Sequence, residues 1–319
     1  MKSPILFLVF NRPKTTQAVF EIIRQAKPPK LYIAADGPRK NRPGESEKCE
    51  KVRSIATAVD WKCEVKTLFQ EDNLGCKHGV SSGIDWFFQH EPEGIILEDD
   101  VLPLPCFFDF CDELLEKYRH ENVSMISGDN RTMQYTQTDN SYFFSCFTLI
   151  WGWATWRRSW ENYDIHMTLW PEWKKHNKLK RILDEKQFLD FWTWFFDKTV
   201  NTQMDTWDVQ WTFTCWVKGS PCIIPASNLV RNIGYGENAT HTSGVEPDIV
   251  ANSKPTAINF PLKHPNEIKR DVRNDLIIQQ HIFNFNPPKA NLLRRLIKKV
   301  IPNCLLEEFR RLLGNQTYS

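Results

Sequence analysis

The feature that most constrains this chain is the alternation of apolar, buried-type runs with amphipathic segments over its first hundred residues. Ile5 to Phe10 is a continuous apolar run, and Lys30 to Ala35 is a second. Strands covered on both faces read this way. Glu64 to Phe69 alternates like a strand, and Gly94 to Leu97 is another short buried one. Between them, Thr15 to Gln25 gathers Ala18, Val19, Ile22 and Ile23 on one side, while Val52 to Val59 and Gly79 to Gln89 are helical in pattern. Arg39 to Lys48 is charged and contains Pro and Gly, so it reads as a loop. Strand and helix in turn predict an α/β fold with a mostly parallel central sheet flanked by helices. In such sheets ligands bind outside the carboxyl ends of the strands. Three polar clusters fall at those ends: Asn11-Arg12, Asp36-Gly37 and Glu98-Asp99-Asp100.

The second half has a different texture. Cys106 to Tyr118 and Leu179 to Thr199 are helical in pattern, Val123 to Ser127 and Tyr142 to Ile150 read as strands, and Ser220 to Arg231 resembles a strand with a Pro break. Most of the thirteen Trp lie between Trp151 and Trp216. Aromatic faces suit a core, and they also suit the C–H faces of sugar rings. The expected organisation is one catalytic domain over residues 1–284, with a nucleotide-binding half (1–103) and an acceptor-binding half (104–284), followed by a tail (285–319). A net charge of +2 gives no field that points to nucleic acid. The nine Cys show no zinc-type C-x-x-C spacing and read as reduced thiols. With no signal-peptide pattern and no stretch of spanning length, the expected location is cytoplasmic.

Glu98-Asp99-Asp100 places three carboxylates directly after a buried strand. Clustered carboxylates resist ionisation beside one another, and a divalent cation removes that conflict. Mn²⁺ and Mg²⁺ prefer oxygen ligands and bridge to diphosphate oxygens. A leaving nucleoside diphosphate needs such neutralisation.

The triplet resembles the DxD-type motif of glycosyltransferases with the GT-A fold, a Rossmann-like α/β architecture. The nearest likeness is the family of inverting N-acetylglucosaminyltransferase I and similar bacterial sugar transferases, over roughly residues 4 to 245. The resemblance implies that Asp100 ligates Mn²⁺ (or Mg²⁺), that Glu98 touches the donor sugar and that Asp99 meets the ribose. It implies Arg12 at the nucleotide, Asp36 near the uracil, and Lys77 and His78 approaching the nucleotide. Trp151-Gly152-Trp153 is similar to a stretch near the donor sugar, which nominates Trp153. The Gly-rich segment Asn232 to Thr242 resembles a loop closing over diphosphate, with His241 as a metal or phosphate partner and Thr242 beside it.

An inverting transferase needs a carboxylate on the acceptor side to take the proton of the attacking hydroxyl. Asp208 follows Trp207 and begins an apolar helix, and Asp205 is the alternative. Helix capping is the competing role for either. The expected partners are a nucleotide-sugar donor, UDP-sugar favoured, and a glycan or lipid-linked glycan acceptor. The tail carries seven basic residues against two acidic ones from Lys289 to Gly314, with Leu292, Leu293, Leu296 and Ile297 on one face. That pattern fits an anionic membrane surface or a helix docked on the body. A carbohydrate-binding scaffold on the same fold is the rival function. A sugar nucleotidyltransferase fits less well, because Asn11-Arg12-Pro13-Lys14 lacks glycine.

Overall fold

The computed structural model describes residues 1–202, 204–235 and 247–283. His241, Thr242 and the tail expected over 285–319 therefore lie outside the described residues. The first half alternates as its sequence predicts: β1 (Ile5–Val9), α1 (Pro13–Ala26), β2 (Lys30–Ala35), α2 (Glu45–Ala56), β3 (Glu64–Phe69), α3 (Gly75–His90) and β4 (Glu93–Glu98). Pro13 starts α1 where its missing N–H costs nothing. Val19, Phe20 and Ile23 turn to the sheet from that helix, each worth about 1.5–3 kcal/mol of burial. β1 is buried along its whole length and pairs in parallel with β2 on one side and β4 on the other. Val9 lies opposite Ala35, and Leu8 opposite Glu98. That register brings the three polar clusters to one edge.

After β4 come β5 (Val101–Pro103), α4 (Cys106–Lys117), β6 (Met125–Ser127), β7 (Tyr142–Ser145), β8 (Trp153–Trp156), α5 (Arg157–Trp160) and α6 (Trp170–Lys175). They are followed by α7 (Lys186–Thr202), α8 (Asp208–Lys218), β9 (Cys222–Pro225), β10 (Val230–Asn232), α9 (Asp248–Asn252) and α10 (Val272–Ile282). Among the described residues the main sheet has eight strands in the order β3-β2-β1-β4-β8-β6-β9-β7. β8 runs antiparallel between β4 and β6, so the two halves share one sheet. Leu6, Leu8, Tyr32 and Ile96 cover one face together with Trp153, Trp160, Trp207 and Trp211. The opposite face packs on α1, α2 and α4.

Several boundaries differ from expectation. The strand predicted over Tyr142 to Ile150 ends at Ser145, because the Ser145 hydroxyl and the Cys146 amide turn to the buried Asp275. The Ser220 to Arg231 segment is two strands, and the second, β10, leaves the main sheet to pair with β5. The eight described cysteines are free thiols. No helix among the described residues is long and apolar enough to cross a membrane.

Candidate active site

Glu98 is the last residue of β4, and Asp99 and Asp100 form the turn into β5. Arg12, from the short loop between β1 and α1, bridges both aspartates. Its Nη2 lies 2.7 Å from Asp99 Oδ1, and its Nη1 lies 2.7 Å from Asp100 Oδ2. The Phe10 amide donates to Asp99 Oδ2 at 3.1 Å. Asp99 is thus buried between a guanidinium and a backbone N–H, and burial raises its carboxyl to about 6 against the opposing pull of Arg12. The Glu98 carboxyl accepts no hydrogen bond among the described residues, and the residue opens on a cavity of about 240 Å³ at the strand ends. Burial, and after it the charge of Asp100, pushes its carboxyl up to about 8, against the opposing pull of Arg12. A carboxylate in this state gains from a cation or a donor hydroxyl.

The same cavity is lined by Asp36, Arg39, Asn73 and Gly79. Asp36 directly follows β2 and ties its end to the loop before α3. It accepts from the Gly37 and Leu74 amides at 2.8 Å, the Gly75 amide at 3.1 Å and Asn73 Nδ2 at 2.8 Å. Arg39 pairs with the buried Glu45 at 2.5 Å and lies over the Phe10 ring. On the far side, the Ile233 amide donates to the Asp100 carbonyl at 2.8 Å. A Cβ at Gly234 would stand 2.1 Å from Asp100 Oδ2, so this approach requires glycine.

The two candidate bases separate clearly. Asp205 accepts from the Cys76 and Lys77 amides at 3.1 and 2.7 Å. It therefore caps α3 from across the chain, beside Gly75 at φ +78. Asp208 lies in the first turn of α8 and receives a hydrogen bond from the Thr206 hydroxyl. It opens on a cleft of about 840 Å³ walled by Trp151, Phe191, Trp194 and Phe195. Its charge is close enough to Glu98 to contribute to the rise of that carboxyl. Asp208 thus stands between the polar pocket and the aromatic cleft.

Other nominated residues sit elsewhere. Trp153 is 1% exposed and stacks on Trp207 in the core at 5.7 Å, so it is a packing residue in this structure. Trp151, two residues earlier, lines the cleft. Lys77 and His78 line a separate cavity of about 210 Å³ with His166 and Met167. Capping by Asp205 fixes the first turn of α3 so that Gly75, Cys76, Gly79 and Val80 face the polar pocket instead. Three further polar residues line these cavities, Arg39 and Asn73 the pocket and Arg131 the cleft; Arg39 lies in a segment whose sequence reads only as a charged loop, and Asn73 and Arg131 belong to no motif.

The described residues offer a cation one protein oxygen rather than a cage. Among them no group of three or more His, Cys, Asp or Glu forms a metal cage. Asp100 Oδ2 is engaged by Arg12 while Oδ1 holds no hydrogen bond among the described residues, which leaves one hard oxygen for a partly hydrated ion.

No family model and no curated protein sequence matches the chain. Solved structures resemble it in part. HddC from Yersinia pseudotuberculosis is 7% identical, with a TM-score of 0.31 over 50% of this chain and 80% of that one. GalNAc-T7 with UDP, GalNAc and Mn²⁺ is 12% identical, with a TM-score of 0.47 over 79% of this chain and 46% of that one. The chain thus spans about half the length of that transferase. UDP-glucose pyrophosphorylase complexed with UDP-glucose is 13% identical, with a TM-score of 0.27 over 50% of this chain and 71% of that one. These are partial likenesses of fold.

Proposed function

We propose that this chain is a metal-dependent glycosyltransferase moving a sugar from a nucleoside diphosphate, UDP favoured, to a glycan or lipid-linked glycan. The observation that carries the reading is the position of Asp208, on the wall of the aromatic cleft and electrostatically linked to Glu98 on the wall of the polar pocket. A two-substrate transfer needs that arrangement: a donor site, an acceptor site, and a proton acceptor on the acceptor side.

In this reading the diphosphate and ribose occupy the pocket at the ends of β1, β2 and β4. Arg12 and Arg39 supply cationic donors there. Asp99 meets the ribose, Glu98 meets the donor sugar, and Asp36 braces the loop against which the base lies. Asp100 is the protein ligand of Mn²⁺ or Mg²⁺, which when bound neutralises the charge of the leaving diphosphate. The acceptor lies along Trp151, Phe191 and Trp194. Its hydroxyl attacks the anomeric carbon, the bond to the diphosphate oxygen breaks, and the hydroxyl proton passes to Asp208. Attack from the cleft side, opposite the pocket, inverts the anomeric centre. His241 and Thr242 remain candidates for the diphosphate.

GalNAc-T7 was solved with UDP, GalNAc and Mn²⁺, and the pyrophosphorylase with UDP-glucose. At those TM-scores neither structure carries the proposal, which rests on the two cavities and Asp208 and on the resemblance of the acidic turn to the DxD-type motif. A nucleotide-release screen across UDP-, GDP- and CMP-sugars with Mn²⁺ tests it. Release from a UDP-sugar that stops on chelation is expected, whereas silence across all donors overturns the proposal.

A further inference from the structure

The acceptor cleft contains one feature that plain sugar stacking does not use. Its wall is largely apolar, from Trp151, Phe191, Trp194, Phe195, Ile249 and Val250. Yet Arg131 is set into it, the only arginine or lysine lining it among the described residues. Arg131 is held in place on two sides. Its guanidinium lies over the Trp151 ring, 3.8 Å from the centroid. Its Nε lies 2.9 Å from Oδ2 of Asp129, which is wholly buried, and its own amide donates to Asp129 Oδ1 at 3.1 Å. The Nε contact is close but misaligned, leaving Nε without a true hydrogen bond. The two terminal nitrogens hold no partner among the described residues, and neither is sealed off as Nε is.

The result is a guanidinium braced by Trp151 and Asp129, with its terminal N–H groups unpartnered among the described residues, on the wall of a largely apolar cleft that also carries Asp208. A guanidinium fork matches the planar oxygens of a carboxylate or the oxygens of a phosphoryl group. Charge-assisted bonds of this kind are about twice as strong as neutral ones, and apolar neighbours that lower the local dielectric strengthen them further. Stacking on Trp151 fixes the plane of the fork, so less freedom is lost when an anion docks. Asp129 cancels the net charge without occupying the terminal donors. That keeps the pair tolerable in the cleft while the fork stays available.

We infer that Arg131 selects an acceptor bearing an anionic group, a carboxylate or a phosphoryl, seated beside an apolar ring or chain in this cleft. The inference rests on the transferase reading for the word acceptor and on Arg131, Asp129 and Trp151 for the anion. Arg131 is a specificity-determining residue: it reads a group on the substrate and takes no part in the proton transfer at Asp208.

The test uses the full-length chain and three probes: phenyl β-D-glucuronide, phenyl β-D-glucoside and phenyl phosphate, each titrated by calorimetry or ligand-observed NMR. The first two differ only in whether C6 carries a carboxylate or a hydroxyl. The glucuronide should bind about tenfold or more tightly than the glucoside. A glucuronide that outruns phenyl phosphate marks a uronate-type acceptor, and the reverse order marks a phosphoryl one. Arg131→Met should bring the glucuronide down to the glucoside's level. Because that change strands a buried Asp129, Asp129→Asn/Arg131→Met provides a version without the orphaned charge, and it should behave alike. Equal binding of glucuronide and glucoside to the wild type, or a glucuronide preference that survives in the double variant, overturns the inference. UDP titrated with Mn²⁺ into the same wild-type sample reads the donor pocket separately. Failure there, with the anion preference intact, defeats the transferase reading and leaves the anion site standing.

Discussion

The two cavities that flank Glu98 and Asp208 are built on opposite plans. The strand-end pocket is framed mainly by short loops from the first hundred residues, with Asp36 and Asp99 held by backbone N–H groups and Asp99 and Asp100 by Arg12. The cleft is framed by side chains from Arg131 to Phe283, most of them aromatic or aliphatic. The first plan suits a ligand with fixed charges, where position is set by the strand register. The second suits a ligand recognised by shape, where position is set by packing between distant helices. The contrast explains why one cavity can be anticipated from sequence and the other much less so.

The largest expected effect tests the ionic plan. Arg12→Met leaves Asp99 and Asp100, both nearly buried, without their cation. Loss of one partner from such a pair should lower stability by about 3–5 kcal/mol, read by chemical denaturation. A loss under about 1 kcal/mol would mean that the acids are solvated and that the pocket is not held as described.

The next pair tests the packing plan. Trp153→Ala should cost about 3–5 kcal/mol, because the ring is enclosed by Trp160, Trp207 and Trp211. Trp151→Ala should cost about 1 kcal/mol, the scale of its contact with Arg131, and should abolish binding of aryl glycosides. Equal stability losses would erase the distinction drawn between core and cleft tryptophans.

Asp208→Asn keeps the helix start and removes the proton acceptor. Turnover should fall by about two orders of magnitude or more, with UDP affinity held within about twofold. Near-normal turnover would return the role to Asp205, whose capping of α3 argues against it, or remove the inverting mechanism.

A further effect is a slope in pH. The folded-state carboxyl of Glu98 is raised to about 8 by burial, well above its value in the unfolded chain. The folded state therefore retains a proton that the unfolded chain releases. Stability from this group is fully present below the unfolded value and is lost as pH rises through about 8. In metal-free buffer, Glu98→Gln should flatten that part of the stability profile. An unaltered slope would place Glu98 in solvent.

What was legible in the sequence follows the same contrast. Ile5 to Phe10 and Lys30 to Ala35 are apolar throughout because both sheet faces are covered, so the polar residues that follow them had to mark the strand ends. That places Arg12, Asp36 and the acidic triplet at one sheet edge, as the register of β1, β2 and β4 has them. Trp151 and Trp153 are chemically alike and two positions apart, and only the onset of β8 at Trp153 sends one into the core and leaves the other on the cleft. Lys77 and His78 were misplaced because the cap that orients α3 comes from Asp205, 128 residues later. Arg131 carried no local signal, since Asp129 and Trp151 give it meaning only after folding.

The most direct test of the central claim is UDP affinity with and without the divalent ion. Wild-type protein titrated with UDP in Mn²⁺ should bind about tenfold or more tightly than the same protein in excess EDTA. Asp100→Ala should match the chelated value in either buffer while remaining folded. UDP affinity that is unchanged by EDTA, or by Asp100→Ala, would contradict the assignment of the Glu98-Asp99-Asp100 turn as a metal-assisted diphosphate site.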